Sequence, residues 1–370
     1  MPDFPWDSLA DATARARSHP EGLVDLSVGS PVDPVPEVVR AALAGAADAP
    51  GYPQTIGSEA LQDAIVGWYA RRRNVDLERP NVLPTVGSKE FIALLPTLLG
   101  LGTGDVVVHP SVAYPTYAVG AAIVGATAVA ADDPADWPAG TRLVWLNSPG
   151  NPDGHVDDLE TMAAAVARAR EIGAVIAADE CYAELPWEAP VVEAADGGPG
   201  TTPSILDRRV IGDSRRLTLS VCSLSKQSNL AGYRAGIVAG CSDLVGELRQ
   251  ARKHAGLMVP APVQAAMAAA LADDAHVAEQ RERYRARRER LQPALEGAGF
   301  RIDGSAAGLY LWATRGESSR ASVDALAGLG ILVAPGDFYG AAGAQHVRVA
   351  LTASDERIDA AVARLGAFGA

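Results

Sequence analysis

Short apolar, β-prone runs at 82–86, 106–109, 126–130, 143–146, 175–178, 217–221 and 235–239 are separated by stretches with helical pattern. This alternation leaves few ways for the chain to fold. The segment 158–171 is the clearest of the helices, with Asp157 or Asp158 as its N-cap. Strands that are apolar without interruption are buried on both faces, and strands joined through helices run mostly parallel. The expectation is an α/β fold whose large domain, residues 38–262, holds a mostly parallel seven-stranded sheet. Beyond about Pro262 the texture changes to one long helical stretch, 264–296 with breaks, and then strands near 300–302, 309–313, 331–334 and 346–351. That predicts a small α+β domain over 263–370. Residues 1–37 supply an N-terminal arm and part of the small domain. The run GGPGTTPS at 197–204 reads as a loop.

Bulk composition removes several function classes. The net charge of −13 argues against a nucleic-acid partner, because phosphate contacts need a basic surface. Six arginines between Arg281 and Arg290, interleaved with Glu282 and Glu289, read as a solvated helix face. Cys181, Cys222 and Cys241 form no CxxC pair and are expected as free thiols in a reducing compartment. The histidines show no metal-ligand spacing, so no metal is expected. The longest uncharged apolar stretch, near 117–131, is too short to span a membrane. The first ten residues carry Asp3 and Asp7 and lack the basic start and apolar run of a secretory leader. A soluble, cytoplasmic protein is expected.

Ligands of parallel sheets sit beyond the carboxyl ends of the strands, so the residues there decide the chemistry. Gly87-Ser88-Lys89 follows one run and opens a helix, offering backbone N–H groups and a hydroxyl to an anion. NSPGNPDG at 147–154 follows another, and its prolines fix a turn that holds the Asn151 amide. Asp179-Glu180-Cys181-Tyr182 follows a third; two acids there need a cation or a ligand. Ser223-Leu224-Ser225-Lys226 follows a fourth, where apolar neighbours can lower the lysine pKa and make it a nucleophile. Singly, each group has a structural explanation. At successive ends of one sheet they point to a site. No GxGxxG after a strand, phosphate-binding GxxxxGK or GxSxG elbow competes with it.

These residues resemble the class I/II aminotransferases, the fold-type I enzymes that depend on pyridoxal 5'-phosphate (PLP). The resemblance lies in SLSK at 223–226 followed by LAGYRAG at 230–236, with NSPGNPDG and DECY (179–182) before them. It implies that Lys226 binds PLP as a Schiff base and then shuttles the substrate's proton. It further implies that Asp179 pairs with the pyridinium nitrogen. Tyr182 and Asn151 would reach the cofactor's phenolic oxygen. Arg234 would clamp the phosphate together with Ser223 and Ser88. Tyr114 would stack on the ring. Tyr52 would reach the phosphate of a neighbouring subunit, which makes the protein a homodimer. Arg348 would grip the substrate α-carboxylate, with Asn151 and Gly29 against the substrate. Arg348 also reads as a surface ion-pair member, and Tyr52 and Tyr114 as packing aromatics. Two positions depart from the family pattern. Asp153 replaces a usual threonine and is expected only to retune its turn. Lys89 adds a charge near the phosphate or the substrate.

Longer stretches are similar to actinobacterial N-succinyldiaminopimelate aminotransferases: PDFPWDSLA, LVDLSVGSPVDPVP, LPTLLGLG, SKQSNLAGYRAG, RKHAGLMVPAPVQAAM and LVAPGDFYG. They imply transfer of an amino group between N-succinyl-L,L-2,6-diaminopimelate and 2-oxoglutarate, in lysine biosynthesis. Lys89, Arg252, Lys253 and His254 are candidates to meet the distal carboxylate. The rival activities are transamination of aspartate, aromatic or unsuccinylated diaminopimelate substrates, and PLP-dependent β-elimination. A third rival is a non-catalytic ligand sensor on the same fold, which the joint presence of Lys226, Asp179, Arg234 and Arg348 disfavours.

Overall fold

The computed structural model describes residues 5–195 and 197–368. Met1–Phe4, where the leader reading and the first family-like stretch begin, lie outside them. The strands are β1 (Val24–Asp25), β2 (Val82–Val86), β3 (Val106–His109), β4 (Thr127–Ala130), β5 (Thr141–Asn147), β6 (Val175–Asp179), β7 (Thr218–Ser223) and β8 (Ala235–Gly240). They are followed by β9 (Arg301–Asp303), β10 (Tyr310–Thr314), β11 (Ile331–Leu332), β12 (Ala334–Pro335) and β13 (His346–Ala350). The expected runs become strands within a residue or two of their ends, except that 331–334 divides into β11, which pairs with β1, and β12, which joins the antiparallel sheet. Helix Leu159–Ile172 starts at Asp158, whose side chain accepts from the Thr161 amide, and ends at Gly173 in the left-handed region.

Seven strands make one sheet in the order β2-β8-β7-β6-β5-β3-β4. Its neighbours run parallel from β7 to β4, and only β8 runs against the rest. The pleat explains the unbroken apolar runs. Ile176 and Ala178 face a core shared with helix Glu59–Arg73, while Val175 and Ala177 face one shared with helix Ser88–Leu98. Edge strand β4 is partly exposed, whereas every residue of β6, β7 and β8 is buried. A second, antiparallel sheet has the order β12-β13-β10-β9. It packs with Val24, Leu26, Tyr182 and Leu185 in a third core.

Met267, Ala270 and Leu271, in helix Ala261–Ala272, join the core on the large sheet, where they pack with Leu61 and Ile65. One expectation changes: the arginine-rich face is not solvated throughout. Arg287 is buried and binds Asp33 and Asp355, and Arg288 is buried with an ion pair to Glu188. The helix that carries them, Ala275–Gly297, is covered by helix Asp355–Phe368, so its spacing serves a latch between chain segments. No helix among the described residues is long and apolar enough to cross a membrane.

Glu180 explains how two adjacent acids end one strand. Its carboxylate is buried and accepts from Arg73 Nη2 at 2.9 Å, the Ile205 amide at 2.7 Å, and the Ser204 and Ser220 hydroxyls. Breaking such a pair from one side leaves a buried charge uncompensated. Arg73→Met is expected to lower unfolding free energy by about 3–5 kcal/mol in a urea titration. Arg208→Ala, which removes an exposed pair to Asp213, should leave the midpoint unchanged.

Candidate active site

Register assembles the site. Asn147 pairs with Asp179 across β5 and β6, Asp179 with Val221 across β6 and β7, and Ser223 with Gly236 across β7 and β8. Because β8 is antiparallel, it begins at the edge where its neighbours end. Arg234, just before β8, therefore stands beside Ser223, and Val86 pairs with Ala235, which brings Ser88 alongside. At that edge opens a cavity of about 530 Å³. It is lined by Gly29, Ser88, Lys89, Tyr114, Asn151, Asp179, Tyr182, Ser223, Lys226, Arg234 and Arg348. Of the residues expected at the cofactor and the α-carboxylate, Tyr52 is elsewhere; it is 97% exposed.

Lys226 follows β7 in a short helical turn, and its Nζ donates to the Gly29 carbonyl. Burial pushes its pKa below the ordinary lysine value, against the raising influence of Tyr310. The neutral amine is the nucleophilic form, so burial favours covalent chemistry here.

Asp179 is buried, and burial pushes its pKa up; the Cys181 amide at 3.2 Å and the Tyr117 hydroxyl at 3.0 Å pull the other way. No lysine, arginine or histidine pairs with it among the described residues. A buried carboxylate without a countercharge fits a cationic ring nitrogen, the partner that PLP offers. Tyr114 lies edge-on to Tyr117, which stacks on Trp145.

The opposite charge gathers nearby. Gly87 caps helix Ser88–Leu98 with φ of +75°, and a Cβ there would collide with the Arg234 guanidinium. The glycine lets Arg234 close over a helix N-terminus, a cradle suited to phosphate. Ser223 Oγ lies 2.8 Å from Ser225 Oγ. Arg348, on β13, is buried. It donates from Nη1 to Asn151 Oδ1 at 2.9 Å and from Nη2 to the Ser27 carbonyl at 2.7 Å. Its Nε is buried with no partner among the described residues. The surface-pair reading of Arg348 is thus replaced by a cation held inside the cleft, able to meet a carboxylate. The Asn151 backbone is anchored by Asn147 Oδ1, which accepts its N–H at 2.8 Å.

Arg252 does not reach the cavity. It is buried in an ion pair with Glu90, and Lys253 and His254 are exposed elsewhere. Only Lys89 of those candidates lines the space, 5.8 Å above the Tyr114 ring. The residues missed in the sequence are Trp6, Tyr117 and Tyr310. Tyr117 had a signal, since it lies one helical turn after Tyr114. Trp6 and Tyr310 had none, because they arrive from distant parts of the chain.

Residues 21–365 match the sequence family described as aminotransferase class I and II, and the chain belongs to that family. Members depend on PLP, and the fold is fold-type I. The chain is 53% identical over 366 residues to a 4-dedimethylamino-4-oxo-anhydrotetracycline transaminase of Streptomyces rimosus, covering 99% of each. It is 55% identical to a Mycobacterium tuberculosis protein named as a probable aminotransferase, covering 99% of this chain and 85% of that one. Among solved structures, a protein of Thermus thermophilus named as a probable N-succinyldiaminopimelate aminotransferase superposes with a TM-score of 0.85 at 27% identity. That match covers 99% of this chain and all of the other.

Tyr117→Phe keeps the ring on Trp145 and removes one hydrogen bond to a buried carboxylate. It should weaken PLP retention about tenfold, about 1.4 kcal/mol, when the cofactor-free protein is titrated with PLP by absorbance.

Proposed function

We propose that this PLP-dependent aminotransferase moves the amino group of N-succinyl-L,L-2,6-diaminopimelate to 2-oxoglutarate, in lysine biosynthesis. The observation that carries this reading is the set of cations in one cavity: Arg234, Arg348 and Lys89 besides Lys226. A cofactor phosphate and an α-carboxylate account for Arg234 and Arg348. Lys89 lines the same cavity and would meet a distal carboxylate, which small amino acids such as alanine lack. The likeness to the Thermus protein and the family-like stretches along the chain favour the same substrate.

In this reading PLP supplies, when bound, an electron sink for the carbanion formed at the substrate Cα. The residues of the chain do the rest. Asp179 holds a proton on the ring nitrogen. Tyr182 and Asn151 hydrogen-bond the phenolic oxygen, and Tyr114 covers the ring. Ser88, Ser223 and Arg234 hold the phosphate. Arg348 fixes the α-carboxylate, with Asn151 and Gly29 against the substrate, so that the Cα–H bond faces Lys226. Lys226 Nζ takes that proton and returns one at the neighbouring carbon. The enzyme works as a cytoplasmic homodimer in which the exposed Tyr52 completes the partner subunit's phosphate site. Its domains are an arm over 1–37, a large PLP domain over 38–262 and a small domain over 263–370.

The Streptomyces relative favours a second reading, transamination of a bulky cyclic ketone, because its identity extends over nearly the whole chain. One comparison separates them: kcat/KM for succinylated diaminopimelate, free diaminopimelate, aspartate, phenylalanine and a polycyclic ketone. The succinylated donor should lead aspartate by about 100-fold, about 2.7 kcal/mol, within the reach of one or two charge-assisted contacts. A lead for the ketone or for aspartate would overturn the substrate and leave the family in place.

Borohydride reduction of the purified yellow enzyme should fix the cofactor on Lys226, read by peptide mapping. Lys226→Ala should retain PLP without covalent attachment and lose turnover by several orders of magnitude.

A further inference from the structure

Tyr310 stands where the two sheets meet. It opens β10, and its buried ring lies across the guanidinium of Arg348, 4.0 Å from the ring centroid. Its hydroxyl is 3.1 Å from the Tyr182 hydroxyl, the two rings meeting edge to face. A phenylalanine would fill the same volume without a buried polar tip that needs a partner. The chain instead makes room for the hydroxyl: a Cβ on Gly29 would collide with Tyr310 Oη. The groups that face this phenol are Arg348 from β13, Lys226 from its turn, Tyr182 and Cys181 after β6, and the Tyr339 and Tyr114 hydroxyls.

We propose that Tyr310 is a positioning residue with two separable functions, its ring holding the plane of Arg348 and its hydroxyl donating to Tyr182. The second function rests on the reading that Tyr182 in turn donates to the phenolic oxygen of PLP. Hydrogen bonds arranged head to tail polarise one another, so a donor behind Tyr182 strengthens the bond in front of it. That bond stabilises the unprotonated, phenolate side of the cofactor's titration. Burial raises the Tyr310 pKa, yet the net direction is down, with the facing cations Arg348 and Lys226 lowering it, as for a phenol that donates strongly. The sign follows. Removing the Tyr310 hydroxyl should move the pH midpoint of the lysine-linked cofactor's visible band upward.

Tyr310→Phe, Tyr182→Phe, the double variant and Tyr310→Leu test both functions in PLP-loaded enzyme. The midpoint is read by absorbance without substrate, and KM and kcat are read separately. Tyr310→Phe should raise the midpoint by about half a pH unit, about threefold in proton affinity, and keep KM within about twofold. The same change on top of Tyr182→Phe should add nothing. Tyr310→Leu, which removes the ring from Arg348, should raise KM for the amino donors about tenfold. A midpoint that moves for Tyr182→Phe but not for Tyr310→Phe, or that moves downward, overturns the hydroxyl's role. So does an equal shift from Tyr310→Phe in both backgrounds. An unchanged KM in Tyr310→Leu overturns the role of the ring. If Tyr182→Phe itself leaves the midpoint still, the placement of Tyr182 on the cofactor fails, and the proposal built on it fails by that separate route.

Discussion

The pairing register of β5, β6, β7 and β8 is the constraint on which the rest depends. Successive residues of a strand point to opposite faces, so a slip by one residue exchanges everything on one face for everything on the other. On β6 that slip would exchange Asp179 for Glu180. Glu180 would then enter the cleft, and Arg73 would be left in the core without its carboxylate. The buried network of Arg73, Ser204, Ile205 and Ser220 around Glu180 opposes the slip, because each donor would lose its acceptor. A polar cluster on the far side of the sheet thereby locates the carboxylate of Asp179 on the cleft side.

The same reasoning covers the charges. The protein as a whole is acidic, yet among the described residues the cleft holds Lys89, Lys226, Arg234 and Arg348 against the carboxylate of Asp179. Net charge governs solubility and long-range steering, and salt screens it beyond about 10 Å. Inside a cavity the effective dielectric is lower and local charges dominate. The two arginines are held differently. Arg234 is reached through a glycine that leaves space for it, and Arg348 is sandwiched by aromatic rings and tied to Asn151 and a carbonyl. A preset guanidinium loses little freedom when it meets a carboxylate.

The cleft is composite. The large sheet brings Asp179, Tyr182, Ser223, Lys226 and Arg234, and the second sheet brings Tyr310 and Arg348. Gly29, from the segment after β1, lies between them and touches both Lys226 and Tyr310. Movement of the small sheet relative to the large one would therefore shift Arg348 and Tyr310 while leaving Asp179, Ser223, Lys226 and Arg234 in place.

Most of the large sheet was legible in the sequence, because strands buried on both faces leave an unbroken apolar run, and β5, β6 and β7 end in the polar residues Asn147, Asp179 and Ser223. The motifs after β2, β5, β6 and β7 were legible for the same reason, and the family resemblance added roles to them. The sequence alone could not say which arginines of the helix Ala275–Gly297 are buried, because polar spacing looks the same whether water or an aspartate faces it. It could not remove Arg252 from the cleft or bring in Trp6 and Tyr310. Local pattern determines which segments are strands and where each must end, since that depends on neighbours along the chain. Which side chains share one cavity is decided by strand order, by the reversed direction of β8 and by the docking of the second sheet. Those depend on contacts such as that between Arg348 and Ser27, 321 positions apart, and only the folded chain contains them.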